Sequence, residues 1–168
     1  MHIKAYSRRR FTRTLSCIPV LVLAGCATTP SPGLRSSRST QAASVGSDVA
    51  MFALSLLDTR YVSGGRGPAT GFDCSGLVSH VYRQAAGIEL RGSSASMAKV
   101  AHPVSNAMLL AGDLVFFNTL GQPFSHVGIF VGDGKFVHAS NERTGVRIDR
   151  LDSKYYAARF EGAKTVLG

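Results

Sequence analysis

The sequence is poor in cysteine, in charge and in long apolar runs. Its longest apolar stretch, residues 15–24, is interrupted by Pro19 and too short to cross a bilayer as a helix of the mature protein. Only 17% of residues are charged, with 10 Asp and Glu against 19 Lys and Arg. No internal repeat and no second domain can be found, which excludes repeat architectures. Cysteine occurs three times, at positions 17, 26 and 74. So few cannot make the disulfide framework of a small exported scaffold.

The N-terminus accounts for two of the three. Lys4, Arg8, Arg9, Arg10 and Arg13 precede the apolar run, which ends in Leu23-Ala24-Gly25-Cys26. This order resembles a bacterial lipoprotein signal, cut just before a cysteine that receives lipid. The resemblance implies a signal peptide at 1–25, a palmitoylated Cys26 and membrane attachment through that lipid. Ala27 follows where aspartate would suggest inner-membrane retention. Likeness to Gram-negative lipoproteins then implies a periplasmic protein anchored to the outer membrane. The bland alternative is an ordinary secretory signal with a chance cysteine after small residues. Removal of 1–25 takes five Lys and Arg and no Asp or Glu, so the net charge falls from +9 to +4. That excess suits a polyanionic cell wall and is too small and scattered to argue for nucleic acid. Cys74 is left as the only free thiol, either buried and inert or kept for its reactivity.

Residues 26–46, rich in Ser, Thr, Pro and Arg, read as a disordered tether. Residues 47–168 read as one domain of about 120 residues, enough for a single core. Ser47 or Asp48 is expected to cap a first helix with Val49, Phe52, Ala53 and Leu56 on one face. Asp73 caps a second, with Leu77, Val78, Val81, Tyr82 and Ala85 as its buried stripe and Gly87 as its stop. Ser94 starts a short third helix. Strand patterns follow at 114–117, 127–131, 135–139, 146–148 and, more weakly, 158–160. Helices first and short strands later imply α+β, with helices packed on a mostly antiparallel sheet of about five strands.

Phe72-Asp73-Cys74-Ser75-Gly76-Leu77-Val78 carries the chemistry. It puts Cys74 in the first turn of a helix, whose unpaired N–H groups favour thiolate, the nucleophilic form. His126 and His138 follow on a hairpin, and its register decides whether they meet. A plain two-residue turn at Asp133-Gly134 sets His138 opposite Ile129, on the wrong face. A three-residue loop with Gly134 in a left-handed bulge sets His138 opposite Gly128, diagonal to His126 and within reach of it. The bulged register is expected. His126 then acts as base for Cys74, His138 fixes its tautomer, and N–H groups of the helix start hold an oxyanion. The chemistry is acyl transfer through a thioester.

These motifs, with Gly112-Asp113-Leu114-Val115-Phe116-Phe117, Ser125-His126-Val127-Gly128-Ile129-Phe130 and Phe136-Val137-His138-Ala139-Ser140, resemble the NlpC family of papain-like cell-wall cysteine peptidases. The likeness runs from about Leu54 to the C-terminus and is nearest to short, lipid-anchored murein endopeptidases. It implies a papain-like fold and a Cys74–His126–His138 triad. It implies Tyr61 beside the oxyanion, and Asp73 and Ser75 in contact with substrate. It also implies cleavage of peptidoglycan stem peptides next to meso-diaminopimelate, at the γ-D-glutamyl bond or the D-alanyl cross-link. The chain departs from the family at Ser63, at Arg91-Gly92 and at Met97, positions that lie near the family's groove and bear on substrate preference.

No cofactor or metal is expected, and the protein is expected to be a monomer. A zinc site built from Cys74, His126 and His138 is the chemical rival. A non-catalytic wall-binding lipoprotein and an amidase or acyltransferase on another substrate are the functional ones. His80 and His102 read as surface residues.

Overall fold

The computed structural model describes residues 39–168. The expected signal segment, Cys26 and most of the expected tether lie outside them. Helix α1 spans Thr40–Leu54 with Ser39 as its cap, the Ser39 hydroxyl accepting from the Ala42 N–H. The cap expected at Ser47 or Asp48 is therefore corrected. Both residues lie inside the helix, and Gly46, assigned to the tether, is buried in it. Helix propensity was read only where large apolar residues begin, and the small residues at 42–46 hid the first two turns.

A short hairpin follows, β1 (Arg66–Gly67) with β2 (Gly71–Phe72). Helix α2 spans Cys74–Ala86, capped by Asp73 and ended by Gly87 in the left-handed conformation. Helix α3 spans Ser94–Val100, capped by Ser93. The strands are β3 (His102–Val104), β4 (Leu114–Phe117), β5 (His126–Gly132), β6 (Lys135–Ala139), β7 (Val146–Arg150) and β8 (Phe160–Thr165). They form one antiparallel sheet in the order β3-β8-β4-β5-β6-β7, with the one-turn helix α4 (Lys154–Ala157) before β8. The α+β class holds. The sheet has six strands where about five were expected, because the short edge strand at His102–Val104, which contains Pro103, carries no alternating pattern.

Alternation along the strands sorts two cores. Leu114, Phe116, Val127, Ile129 and Val137 join Leu77, Val78, Val81 and Tyr82 beneath the helices. Val115, Phe117, Phe130 and Phe136 form the other cluster with Tyr156 and Ala163. Met97 is fully buried in the first cluster. Its departure from the family pattern therefore acts on packing, and it does not line an open groove.

The hairpin register is the expected one, produced by a different device. Ile129 pairs with Val137 and Phe130 with Phe136, while Gly132 pairs with Lys135. The turn is thus the two-residue Asp133-Gly134, with φ of 50° and 69°, as a type I′ turn requires. The extra residue is Val131, on β5. Gly134 makes the turn and does not form the bulge.

Candidate active site

The site begins at the cap of α2. Asp73 Oδ1 accepts from the Gly76 N–H at 2.6 Å and from the Ser75 hydroxyl at 2.9 Å. Its Oδ2 accepts from the Gly64 N–H at 3.0 Å, and the Asp73 N–H donates to the Gly65 carbonyl at 3.0 Å. The glycine-rich loop is thereby pinned across the first turn of the helix. A Cβ on residue 76 would stand 1.9 Å from the Gly65 oxygen, so only glycine lets that loop approach. The loop carries Tyr61, which bridges to Phe72 beside the cysteine. Burial, with Cys74 and Asp73 close by, pushes the Tyr61 hydroxyl pKa up. Tyr61, Asp73 and Ser75 are thus gathered around Cys74, with Asp73 and Ser75 bonded to each other as a cap.

Cys74 is partly buried and packs against the core under the helices. Burial pushes its thiol pKa up, and the Asp73 charge adds to this. Backbone N–H groups of Val127, Ser75 and Cys74 itself oppose that rise, and burial wins. The pull of the helix N-terminus toward thiolate is therefore outweighed by burial, which favours the thiol. The Val127 contact brings the sulfur to the start of β5, next to His126.

The histidines meet directly. His126 Nε2 and His138 Nδ1 are 2.7 Å apart, the rings perpendicular. Gly128 makes this possible, since a Cβ there would lie 2.6 Å from the Phe136 ring and 3.3 Å from His138 Cβ. His138 is wholly buried against Phe136 and Tyr156. Its Nε2 lies 2.9 Å from Asp149 Oδ2, with the Tyr156 hydroxyl at 3.4 Å. Burial raises the Tyr156 pKa to about 12, so that hydroxyl keeps its proton. Arg147 donates to Asp149 Oδ1 at 2.9 Å.

This chain fixes every proton. The Asp149 carboxylate can only accept, so His138 carries hydrogen on Nε2. His138 Nδ1 is then bare and must accept from His126 Nε2–H. His126 Nδ1 is left as a bare lone pair, the form a general base needs. Burial, and next the neighbouring His138, lower the His126 pKa to about 3, with Asp149 opposing. Burial lowers His138 too, again opposed by Asp149. Asp149 itself is held below the usual carboxylate range: burial would raise it, and its bonds to His138 and Arg147 overcome that. At rest the pair is neutral thiol and neutral imidazole.

Neither Asp149 nor Arg147 is among the expected site residues, and the strand expected at 146–148 stops one residue short of Asp149. The signal was present. Ala139 faces Val146 across the turn, so Phe136 faces Asp149 and His138 faces Arg147. One more residue of strand puts the carboxylate on the face of His138.

The zinc rival finds no support in this arrangement. The two imidazoles spend a nitrogen on each other, and among the described residues no three His, Cys, Asp or Glu side chains are placed to hold a metal ion. His102 is exposed, on β3. His80 is not a simple surface residue: it lies against Phe52 and Phe72, its Nδ1 buried without a partner.

Residues 58–165 match the model of the NlpC/P60 family. The chain is 37% identical over 110 residues to the Murein DD-endopeptidase MepH of Escherichia coli, covering 64% of this chain and 41% of that protein. It is 40% identical over 105 residues to the Gamma-DL-glutamyl hydrolase of Bacillus subtilis, covering 62% of this chain and 25% of that one. It thus spans less than half the length of these two relatives. Among solved structures, the NlpC/p60 domain of the peptidoglycan hydrolase SagA superposes with a TM-score of 0.62 at 30% identity, over 72% of this chain and 98% of that domain. With the family model covering most of the described chain and the same fold in a solved member, the chain belongs to the NlpC/P60 family.

Proposed function

We propose that the protein is a thiol peptidoglycan endopeptidase that cuts stem-peptide amide bonds next to meso-diaminopimelate. The observation that carries this reading is the chain Asp149–His138–His126, which leaves one bare imidazole nitrogen on the residue beside the N–H that meets the Cys74 thiol. The chemistry follows from it. The Cys74 proton passes to His126 Nδ1 as Sγ attacks the substrate carbonyl carbon. The oxyanion collects at N–H groups of the α2 start, with Tyr61 alongside. The imidazolium gives its proton to the departing nitrogen, the C–N bond breaks, and a thioester remains. Water, deprotonated by His126, then attacks the thioester, releasing a carboxylic acid and the thiol. Because both partners are neutral at rest, proton transfer and attack are coupled in one step.

One relative is named a murein DD-endopeptidase and the other a hydrolase of γ-DL-glutamyl bonds, which supports a murein peptide bond and leaves the cross-link and the γ-D-glutamyl bond as the two candidates. Digestion of purified muropeptides with the mature domain, followed by mass spectrometry, tests both. The expected result is products from one of these bonds with wild type and none with Cys74→Ala. Identical products from the two proteins would end the proposal.

The N-terminal reading adds a location. Residues 1–25 act as a signal, Cys26 takes the lipid, and the enzyme works in the periplasm from the outer membrane. Labelling of cells with radioactive palmitate should mark the wild-type protein and miss Cys26→Ala. Label retained by the variant would refute the assignment.

A further inference from the structure

A cavity of about 520 Å³ opens beside His126. Its walls include Leu120, Ser140, Asn141, Arg147, Asp149 and Tyr155. The space is large enough for an amino-acid residue. Cys74, Tyr61, Asp73 and Ser75 do not line it, so it lies on the histidine side of the cleft. One wall is held in place, because the Ser125 hydroxyl accepts from the N–H groups of Thr119 and Leu120 at 3.0 and 3.1 Å.

The position of the cavity says which half of the substrate it receives. The acyl half becomes attached to the sulfur. The amine half must take its proton from His126 and so departs across that ring. A space walled by the histidine and not by the cysteine receives the amine half.

The walls also say what that half carries. Arg147 and Asp149 are the charged groups lining the cavity. Both Asp149 oxygens are already engaged, one by His138 and one by Arg147. Arg147 spends one N–H on Asp149, and its side chain is 45% exposed. A guanidinium has five donors in a planar fork that matches a carboxylate. Because Arg147 lines the cavity, its remaining donors are available to a group held there.

The geometry points to a leaving-group subsite that selects an amine bearing a free carboxylate, with Arg147 as its anchor. This inference rests on the peptidase reading above. It applies most directly to the cross-link, where the free carboxyl is on the carbon that bears the departing amine; at the γ-D-glutamyl bond it lies at the far end of the residue. The departing amine belongs to diaminopimelate in both cases, and one of that residue's two carboxyl groups stays free.

The test uses paired muropeptides, alike except that this carboxylate is free in one and a carboxamide in the other. Wild type should cleave the free acid with kcat/KM about ten- to a hundredfold higher, the worth of a charge-assisted hydrogen bond pair. Arg147→Ala should lose that preference, and Arg147→Lys should keep part of it. Asp149→Asn should slow both substrates alike and retain the preference, which separates anchoring from histidine positioning. If Arg147→Ala fails to fold, the wild-type comparison and Arg147→Lys still decide. Equal cleavage of the two substrates by wild type, or a preference that survives in Arg147→Ala, overturns the inference. Cleavage of neither substrate by wild type overturns the peptidase reading and this subsite with it.

Discussion

Asp149→Asn is the most informative single change in this site. The substitution keeps the size and planarity of the side chain and removes the charge. In the wild type, Asp149 can only accept, and that fact propagates through two rings to a bare Nδ1 on His126. Asparagine can present either its oxygen or its NH2 group to His138. With NH2 facing the ring, His138 Nε2 must accept, its Nδ1 carries hydrogen, and His126 is left with hydrogen on Nδ1. That tautomer cannot take the thiol proton. With oxygen facing the ring, the correct tautomer survives on a weaker, uncharged bond. The difference between a charge-assisted and a neutral hydrogen bond is roughly 1–2 kcal/mol, or about five- to thirtyfold in rate. The loss should fall in kcat, since Asp149 acts through His138 and orients no substrate atom. A pH profile gives an independent readout. Asp149 raises the pKa values of both histidines, so its neutralisation should move the acidic limb of kcat/KM to lower pH. A variant with wild-type kcat and an unmoved acidic limb, folded by thermal melting, would refute the relay.

Three further outcomes follow from the same groups. His126 is neutral when folded down to about pH 3, against 6.5 in the unfolded chain. Between those values the unfolded state binds more protons, so stability is complete above pH 6.5 and falls with acid by about 1.4 kcal/mol per pH unit for this histidine alone; denaturant melts at pH 7, 6 and 5 measure it, and a flat series would contradict the burial argument. Gly76→Ala drives a methyl group into the Gly65 carbonyl, and should cost about 1–3 kcal/mol or more by urea midpoint, with reduced activity as the Tyr61 loop shifts. The raised thiol pKa predicts that iodoacetamide alkylates Cys74 more slowly than a free cysteine at pH 7, with the rate climbing into the alkaline range.

The place of Cys74 at a helix start was legible because its signals are local. Asp73, Cys74 and Gly87 mark the ends of one helix, and cap chemistry reads directly from sequence. The histidine pair was legible through parity, since only one register places both rings on one face. The device behind that register was not legible: a bulge at Gly134 and a bulge at Val131 yield the same parity, and Gly132 and Gly134 both take positive φ. Asp149 was lost for a different reason. Its role depends on a third strand whose end the alternating pattern does not mark, because Arg147, Asp149 and Arg150 read as an exposed polar stretch. The start of α1 was lost because small residues pack by close approach and leave no apolar stripe. In each case the missing information is the identity of the neighbour across space.

The neutral thiol bears on a difficulty that the sequence raises. If residues 1–25 are removed and Cys26 is lipidated as proposed, Cys74 has no disulfide partner within the chain, yet the thiolate is the form that oxidants attack. A helix N-terminus alone would favour that form. Burial of Cys74 opposes it and prevails, and the buried His126 does not offer a resting positive charge that would draw the proton off. The same low-dielectric surroundings that keep the pair neutral also strengthen any charge interaction that forms during reaction. In the proposed reaction, a substrate carbonyl supplies what the resting site lacks, a place for the negative charge at the α2 amides as the proton moves to His126. The Asp149–Arg147 pair then matters most at that moment, because the imidazolium is stabilised through His138 by a carboxylate already in place. In the proposed mechanism, burial thus favours the less reactive thiol until a substrate carbonyl is in place.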